Sequence, residues 1–202
     1  MRKEFIDAIK SHQTAFGFDL SDERISRLAD YYEIIKKHNE ILHLVAPMSA
    51  EEFAIRHILE SLTLLDHLPE KTRFADVGTG AGLPSIPCLL VREDLRAVLI
   101  DSKLKKTKFL ELAAAELQIS NRVRILNHQF DEVARERFSV VTCRALDKFT
   151  AKLPSLVKWS QRRSLLLFGG NNLREALKTS KLNFTEKLMP LSYQRFLFMV
   201  SK

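Results

Sequence analysis

The stretch Phe74-Ala75-Asp76-Val77-Gly78-Thr79-Gly80-Ala81-Gly82 constrains this chain more than any other. A short apolar run reads as a buried strand, and three glycines at alternate positions follow it at once. Leu83-Pro84 then leads into Ser85 to Val91, which the pattern predicts to be helical, with Pro84 tolerated in the first turn. Strand, glycine turn and helix open a nucleotide-binding βαβ unit. The glycines let the backbone turn tightly and approach a ligand with no Cβ in the way, and the helix start offers unpaired N–H groups. Ala97-Val98-Leu99-Ile100 predicts the next parallel strand, with Asp101 at its carboxyl end, 19 residues past Gly82. An acid at about 20 residues is the one that holds a ribose hydroxyl pair in such units. The competing reading is a βα turn kept tight only for packing, with no ligand.

Glycine spacing separates the cofactors. A dinucleotide fingerprint needs its third glycine at position 83, which is Leu83. An NAD-type oxidoreductase therefore conflicts with the sequence. The chain instead has G-x-G-x-G with Asp76 two residues ahead, the pattern of class I S-adenosylmethionine (SAM) methyltransferases. Asp76 to Pro84 followed by Ile86-Pro87, then Asp101-Ser102 leading into Lys106 and Phe109-Leu110, resembles the RsmG (GidB) family. Arg56-His57 with Ser61-Leu62, and Arg144-Ala145 after a strand, extend the resemblance over most of the chain.

Composition sets consistent bounds. A chain of 202 residues with 46% hydrophobic content supports a well-buried domain with a small accessory part. No run approaches the ~18 apolar residues of a membrane span. Cys88 and Cys143 sit in apolar contexts without C-x-x-C spacing and read as buried thiols of a cytosolic protein. No His/Cys cluster has metal-ligand spacing, so no metal is expected. Charge is uneven: residues 1–70 carry 8 Lys/Arg against 13 Asp/Glu, whereas residues 71–202 carry 24 against 12. The net of +12 on the part with the glycine turn suggests a polyanionic partner there, although basicity also serves plain solubility.

Residues 1–70 predict an acidic helical cap without strands. Lys3 to Phe16 has Phe5, Ile6, Ile9 and Ala15 at helical spacing; Ser21 caps a second helix with Ile25, Leu28, Tyr32 and Ile35 on one stripe. Ser49-Ala50-Glu51-Glu52 forms a capping box opening a third helix through Phe53, Ile58, Leu62 and Leu65. His57 falls on its apolar side, where a structural histidine is the simpler reading. Asn39 and His43 stand where the family places a polar pair, with His43 replacing its usual Asn.

Residues 71–202 predict a Rossmann-like α/β domain with a mostly parallel, seven-stranded sheet. After Asp101, Ser102 is expected to cap a helix running to about Leu117. Lys103, Lys105, Lys106 and Lys108 crowd its first turns, where the macrodipole disfavours cations, and contact with RNA phosphates is one use for them. Strands follow at Val123–Leu126, Phe138–Cys143 and Leu165–Phe168, with a helix from Lys148 to Trp159 despite Pro154. A short helix at Leu173–Leu177 and a closing hairpin of Phe184–Leu188 with Arg195–Val200 complete the chain. Arg144 stands at the carboxyl end of its strand, where open parallel sheets bind ligands; a salt bridge to Asp147 is the alternative.

The resemblance implies a SAM site made by Asp76, Gly78, Gly80, Gly82, Leu83, Asp101, Phe130, Asp131 and Arg144, with Lys103, Lys105, Lys106 and Arg144 facing RNA. Phe130 replaces a small residue of the family, and Phe168 replaces the Lys of a Lys-Gly pair ahead of Gly169. The implied activity is methylation of guanine N7 in the decoding-region loop of 16S rRNA, on rRNA or the small ribosomal subunit, by a cytoplasmic and preferably monomeric enzyme. Guanine N7 is an unprotonated acceptor on the major-groove edge, so its attack needs no general base. The alternatives are a SAM-binding RNA-associated protein without transfer and a methyltransferase of another substrate.

Overall fold

The computed structural model describes residues 1–134, 138–144, 146, 148–161 and 163–201. Seven strands form one sheet in the order β3-β2-β1-β4-β5-β7-β6. In chain order they are β1 Arg73–Val77, β2 Arg96–Ile100, β3 Val123–Leu126, β4 Val140–Arg144, β5 Ser164–Gly169, β6 Asn183–Leu188 and β7 Phe196–Ser201. The first five run parallel, and β7 runs antiparallel between β5 and β6. The chain leaves β1 toward β2 and β3, then returns to β4 on the other side of β1. Their carboxyl ends splay apart at that reversal and leave a crevice for a ligand.

Successive side chains of a strand point to opposite faces, and each face has its own core. Phe74, Leu99, Val140 and Leu166 pack on one face; Ala75, Val77, Ile100, Val141 and Leu167 pack on the other. Helices α7 (Phe149–Ser160) and α8 (Asn171–Thr179) cover the second face through Leu153, Leu156, Leu173 and Leu177. The first face carries α5 (Ser85–Val91), α6 (Leu104–Glu116) and the amino-terminal helices in one continuous core, which joins Phe5, Leu28 and Ile35 to Phe74 and Leu99.

The amino-terminal layer comprises α1 (Arg2–His12), α2 (Asp22–Leu42), α3 (Ala50–Phe53) and α4 (Glu60–Leu62). The Ser21 hydroxyl accepts from Arg24 N at 3.4 Å and the Ser49 hydroxyl from Glu52 N at 3.0 Å, so both expected caps form. The Glu52 carboxylate pairs with Arg56 across one turn. The third helix is not uniform as the sequence suggested. It widens to a π-helix over Ala54–Leu59 between α3 and α4, then tightens to 3₁₀ over Thr63–His67. Such π segments recur where a helix must present groups to a site.

Tyr31 of α2 joins this layer to the glycine turn. It is fully buried, and its hydroxyl donates to Ala81 O at 2.8 Å. Removing the hydroxyl leaves a buried carbonyl without its donor, which costs about 1–3 kcal/mol. Tyr31→Phe is therefore expected to lower the stability measured in equilibrium unfolding by that amount, with an unchanged m-value.

Candidate active site

The glycine turn is held at three points. Gly78 N and Thr79 N both donate to Ile100 O, at 2.8 and 3.2 Å, and Gly80 N donates to Asp101 Oδ2 at 3.0 Å. The turn thus hangs from the end of β2. Its glycines differ in purpose. Gly82, at φ +95°, packs so closely that an added Cβ would lie 2.4 Å from Ile86 Cδ1. Gly80, at φ +57°, has only Gly78 O within 4 Å of that position. Space is open beside Gly80, so a ligand can approach the backbone there.

Asp101 is nearly buried and faces this space. Its Oδ1 accepts from Lys103 N at 2.9 Å while Oδ2 holds Gly80 N, which fixes the carboxylate plane. Helix α6 follows without the expected Ser102 cap: its N-cap residue is Lys103, with no side-chain cap bond, and Asp101 has taken the neighbouring amide.

A cavity of about 320 Å³ opens between the turn and the ends of β1, β2 and β3, within the range of small-molecule sites. Gly78, Gly80, Asp101, Lys103, Lys106 and Phe130 line it, so the structure brings six of the expected residues together. Leu146, Lys152, His43, His128 and Gln129 stand among the rest of the wall. Lys152 and Leu146 were not singled out from sequence, and nothing in their surroundings marked them.

The other expected residues lie around the cavity and not on its wall. Gly82 and Leu83 pack beneath the turn, Asp131 and Lys105 are exposed, and Arg144 turns toward the amino-terminal layer. Asp76 is fully buried under the turn, where its Oδ2 accepts from the Thr79 and Ser85 hydroxyls at 2.8 and 2.6 Å. Its Oδ1 has no hydrogen-bond partner among the described residues. Burial raises its pKa to about 7, against the pull of the two hydroxyl bonds.

Lys106 resolves the unfavourable run of cations at the start of α6. Its ammonium donates to Leu42 O at 3.0 Å and His43 O at 2.7 Å, at the carboxyl end of α2. A cation is favoured at that end of a helix dipole. Asn39 completes the same end: its Oδ1 accepts from Leu44 N and Val45 N, while its Nδ2 donates to Val45 O. The lysine expected on phosphate therefore acts as part of the cavity wall.

Arg144 reaches the π segment. It donates to Arg56 O at 2.5 Å and to the Ser61 hydroxyl at 3.2 Å, and it pairs with Glu60 at 3.5 Å. Glu60 is buried and also takes Arg195 Nε at 2.6 Å, so one carboxylate joins two strands to the helical layer. Asp147, the partner considered from sequence, lies outside the described residues, as does Ala145. His57 Nδ1 lies 3.3 Å from Arg144 Nη2, and its Nε2 is buried without a partner among the described residues. Burial, with Arg144, Arg56 and Arg195 nearby, pulls the His57 pKa down to about 3, so the ring is neutral and packed against Phe53. Sequence reasoning missed Glu60, although an acid inside Ile58-Leu59-Glu60-Ser61-Leu62 is itself a signal. Phe168 lies under the Arg144 guanidinium, 5.7 Å from ring centre to Cζ.

A mostly parallel seven-stranded sheet closed by an antiparallel β7, with a G-x-G-x-G turn after β1 and a carboxylate after β2, is the architecture of the Rossmann-like methyltransferase class. A SAM dependent methyltransferase from Aquifex aeolicus has this fold at a TM-score of 0.60 and 14% identity, over 86% of this chain and 99% of that one. The family described as GidB, rRNA small subunit methyltransferase G, matches residues 24–198. The chain belongs to that family. Ribosomal RNA small subunit methyltransferase G of Neisseria meningitidis serogroup A is 36% identical over 81% of this chain and 76% of its own length. The Yersinia enterocolitica protein of the same name is 36% identical over 72% and 68%.

Two outcomes test this geometry. The raised Asp76 pKa means that its contribution to stability is present below its unfolded value and is lost as pH rises toward 7. Asp76→Asn lacks this loss, so its stability relative to wild type should grow by about 2–3 kcal/mol between pH 5 and pH 8, read from urea midpoints. Glu60→Ala leaves two partly buried guanidinium groups without their carboxylate and should cost about 3 kcal/mol by the same measurement.

Proposed function

We propose that this protein transfers the methyl group of S-adenosylmethionine to N7 of a guanine in the decoding-region loop of 16S rRNA. The observation that carries the reading is the fixed Asp101 carboxylate facing open space beside Gly80, within a chain of the rRNA small subunit methyltransferase G family. The residues fit this cofactor. A Cβ at Gly80 would fill the space beside the turn, and Asp101 keeps acceptor capacity for the paired hydroxyls of a ribose. Phe130 supplies an apolar surface at the end of the cavity for a purine ring. Asp76 acts from below, by holding Thr79 and Ser85 so that the turn keeps its shape.

When bound, the cofactor supplies an electrophilic methyl carried on a sulfonium. The N7 lone pair lies in the plane of the base and carries no proton. The methyl would pass to that lone pair with the electrons of the broken carbon–sulfur bond left on sulfur, and Gly80, Asp101 and Phe130 would hold the donor in line for it. No proton moves in that exchange, and no residue is needed to take one. The protein's work is alignment and exclusion of water, which together supply most of the acceleration in such transfers. N7 lies in the deep, narrow groove of an A-form helix, so the guanine must be unpaired when it enters.

Residues 71–202 are proposed to hold cofactor and RNA, with residues 1–70 as a cap over one face of the sheet. Lys103 and Lys105 are exposed at the start of α6 beside the cavity and are suited to phosphate contact. Arg144 shapes the site through the cap, because its guanidinium is committed to Arg56 O, Ser61 and Glu60.

The test is incubation with labelled SAM and 16S rRNA from cells that lack the modification, followed by mapping of the labelled base. Label on N7 of one guanine is the expected outcome; SAM binding without transfer to RNA overturns the proposal. Asp101→Ala should weaken SAM binding at least tenfold by calorimetry, since hydrogen bonds to a charged group are worth about 1.5–3 kcal/mol each. The double variant Lys103→Ala, Lys105→Ala should lower the slope of log K against log salt for RNA by about 1.4, at ~0.7 per phosphate contact.

A further inference from the structure

The turn between β6 and β7 carries the most exposed large apolar side chain of the described residues. Tyr193 is 98% exposed, and Leu191 beside it is 54% exposed. An exposed tyrosine offers a flat, amphipathic surface at low conformational cost, the kind of side chain on which a planar partner can settle.

Its place in the fold relates it to the site. Phe196, the first residue of β7, pairs with Gly169 at the carboxyl end of β5, and Leu188 at the end of β6 pairs with Phe196. The turn therefore stands on the carboxyl edge of the parallel strands, the edge that also carries the glycine turn and Asp101. Three strand spacings separate β7 from β1 in the sheet order, roughly 14 Å.

The turn is also well fixed. Met189 N donates to Arg195 O at 2.9 Å, Ser192 N donates to Met189 O at 3.2 Å, and the Ser192 hydroxyl accepts from Arg195 N at 3.1 Å. Gln194 O packs against Gly170, where an added Cβ would lie 3.1 Å away. Arg195 then donates to Glu60, the carboxylate that also pairs with Arg144. The backbone that carries Tyr193 is thus held in place, and its ring stands clear of the protein with both faces open to a flat partner.

We propose that Tyr193 is a stacking platform for an unpaired nucleobase of the rRNA substrate, on the same edge of the sheet as the cavity that the guanine enters and a few nucleotides away from it. The inference rests on the proposed function, since it takes rRNA as the occupant. The net charge of +12 on residues 71–202 favours a polyanion on this part of the chain, and phosphate contacts position a strand without reading it. Stacking on a side chain accepts any base and contributes about 1–3 kcal/mol per base.

The experiment compares wild type, Tyr193→Ala, Tyr193→Phe and Tyr193→Trp in methyl transfer to unmodified 16S rRNA and in direct RNA retention on filters. Tyr193→Ala should raise KM for rRNA and weaken retention by about 5- to 150-fold, the fold-change of 1–3 kcal/mol. Its kcat, its affinity for SAM and the slope of log K against log salt should stay unchanged. Tyr193→Phe and Tyr193→Trp should keep wild-type values within about threefold, because the ring is what stacks. An Ala variant within twofold of wild type overturns the inference, and so does a Phe variant as weak as Ala. If wild type binds rRNA without methylating it, the functional proposal fails, while the retention comparison still decides the role of Tyr193.

Discussion

The bond between Gly80 N and the Asp101 carboxylate is the constraint on which the site depends. It joins the loop after the first strand to the end of the second, and Lys103 N fixes the same carboxylate from the other side. Three features follow from one side chain: the shape of the glycine turn, the start of α6 and the acceptor that faces the cavity. A carboxylate held by two amides carries its charge in a set direction before any ligand arrives. That is how a site gains from electrostatics without reorganising at the moment of use.

Around this centre the helical layer does more than cover a face of the sheet. It sends Tyr31 to the glycine turn, the end of α2 to Lys106, and the Glu60 carboxylate to Arg144 and Arg195. The link to β4 is made at the π segment, where Arg56 O accepts from Arg144. Burial of Glu60 raises its carboxyl pKa while the two guanidinium groups draw it back. Ionic groups placed this way are weak stabilisers against apolar replacements, but each is costly to leave unpaired. The cluster therefore specifies how cap and sheet fit more than how tightly they hold.

Local pattern was enough for the strands, because the parallel ones are short apolar runs and β6 and β7 were read as a closing hairpin, and all seven lie within a few residues of the expected bounds. The glycine turn and Asp101 were legible for a stronger reason: backbone conformation and spacing leave few other residues possible there. Long-range partners were not. Lys106 looked like a phosphate ligand because its own helix disfavours it, and only the fold brings the end of α2 to it. Arg144 showed a position at a strand end without showing a direction, which Glu60 decides from 84 residues away in sequence. Ser102 was a reasonable cap by type, but the carboxylate beside it reached Lys103 N first.

The tie between Lys106 and the last carbonyls of α2 has a kinetic side. If the lip formed by His43 and Leu44 swung outward, it would strip a half-buried ammonium of both its acceptors. Opening this rim would cost two hydrogen bonds to a charged group, about 1.5–3 kcal/mol each, which works against such a motion. A small molecule arriving at this mouth meets a rim that two helices have already shaped between them.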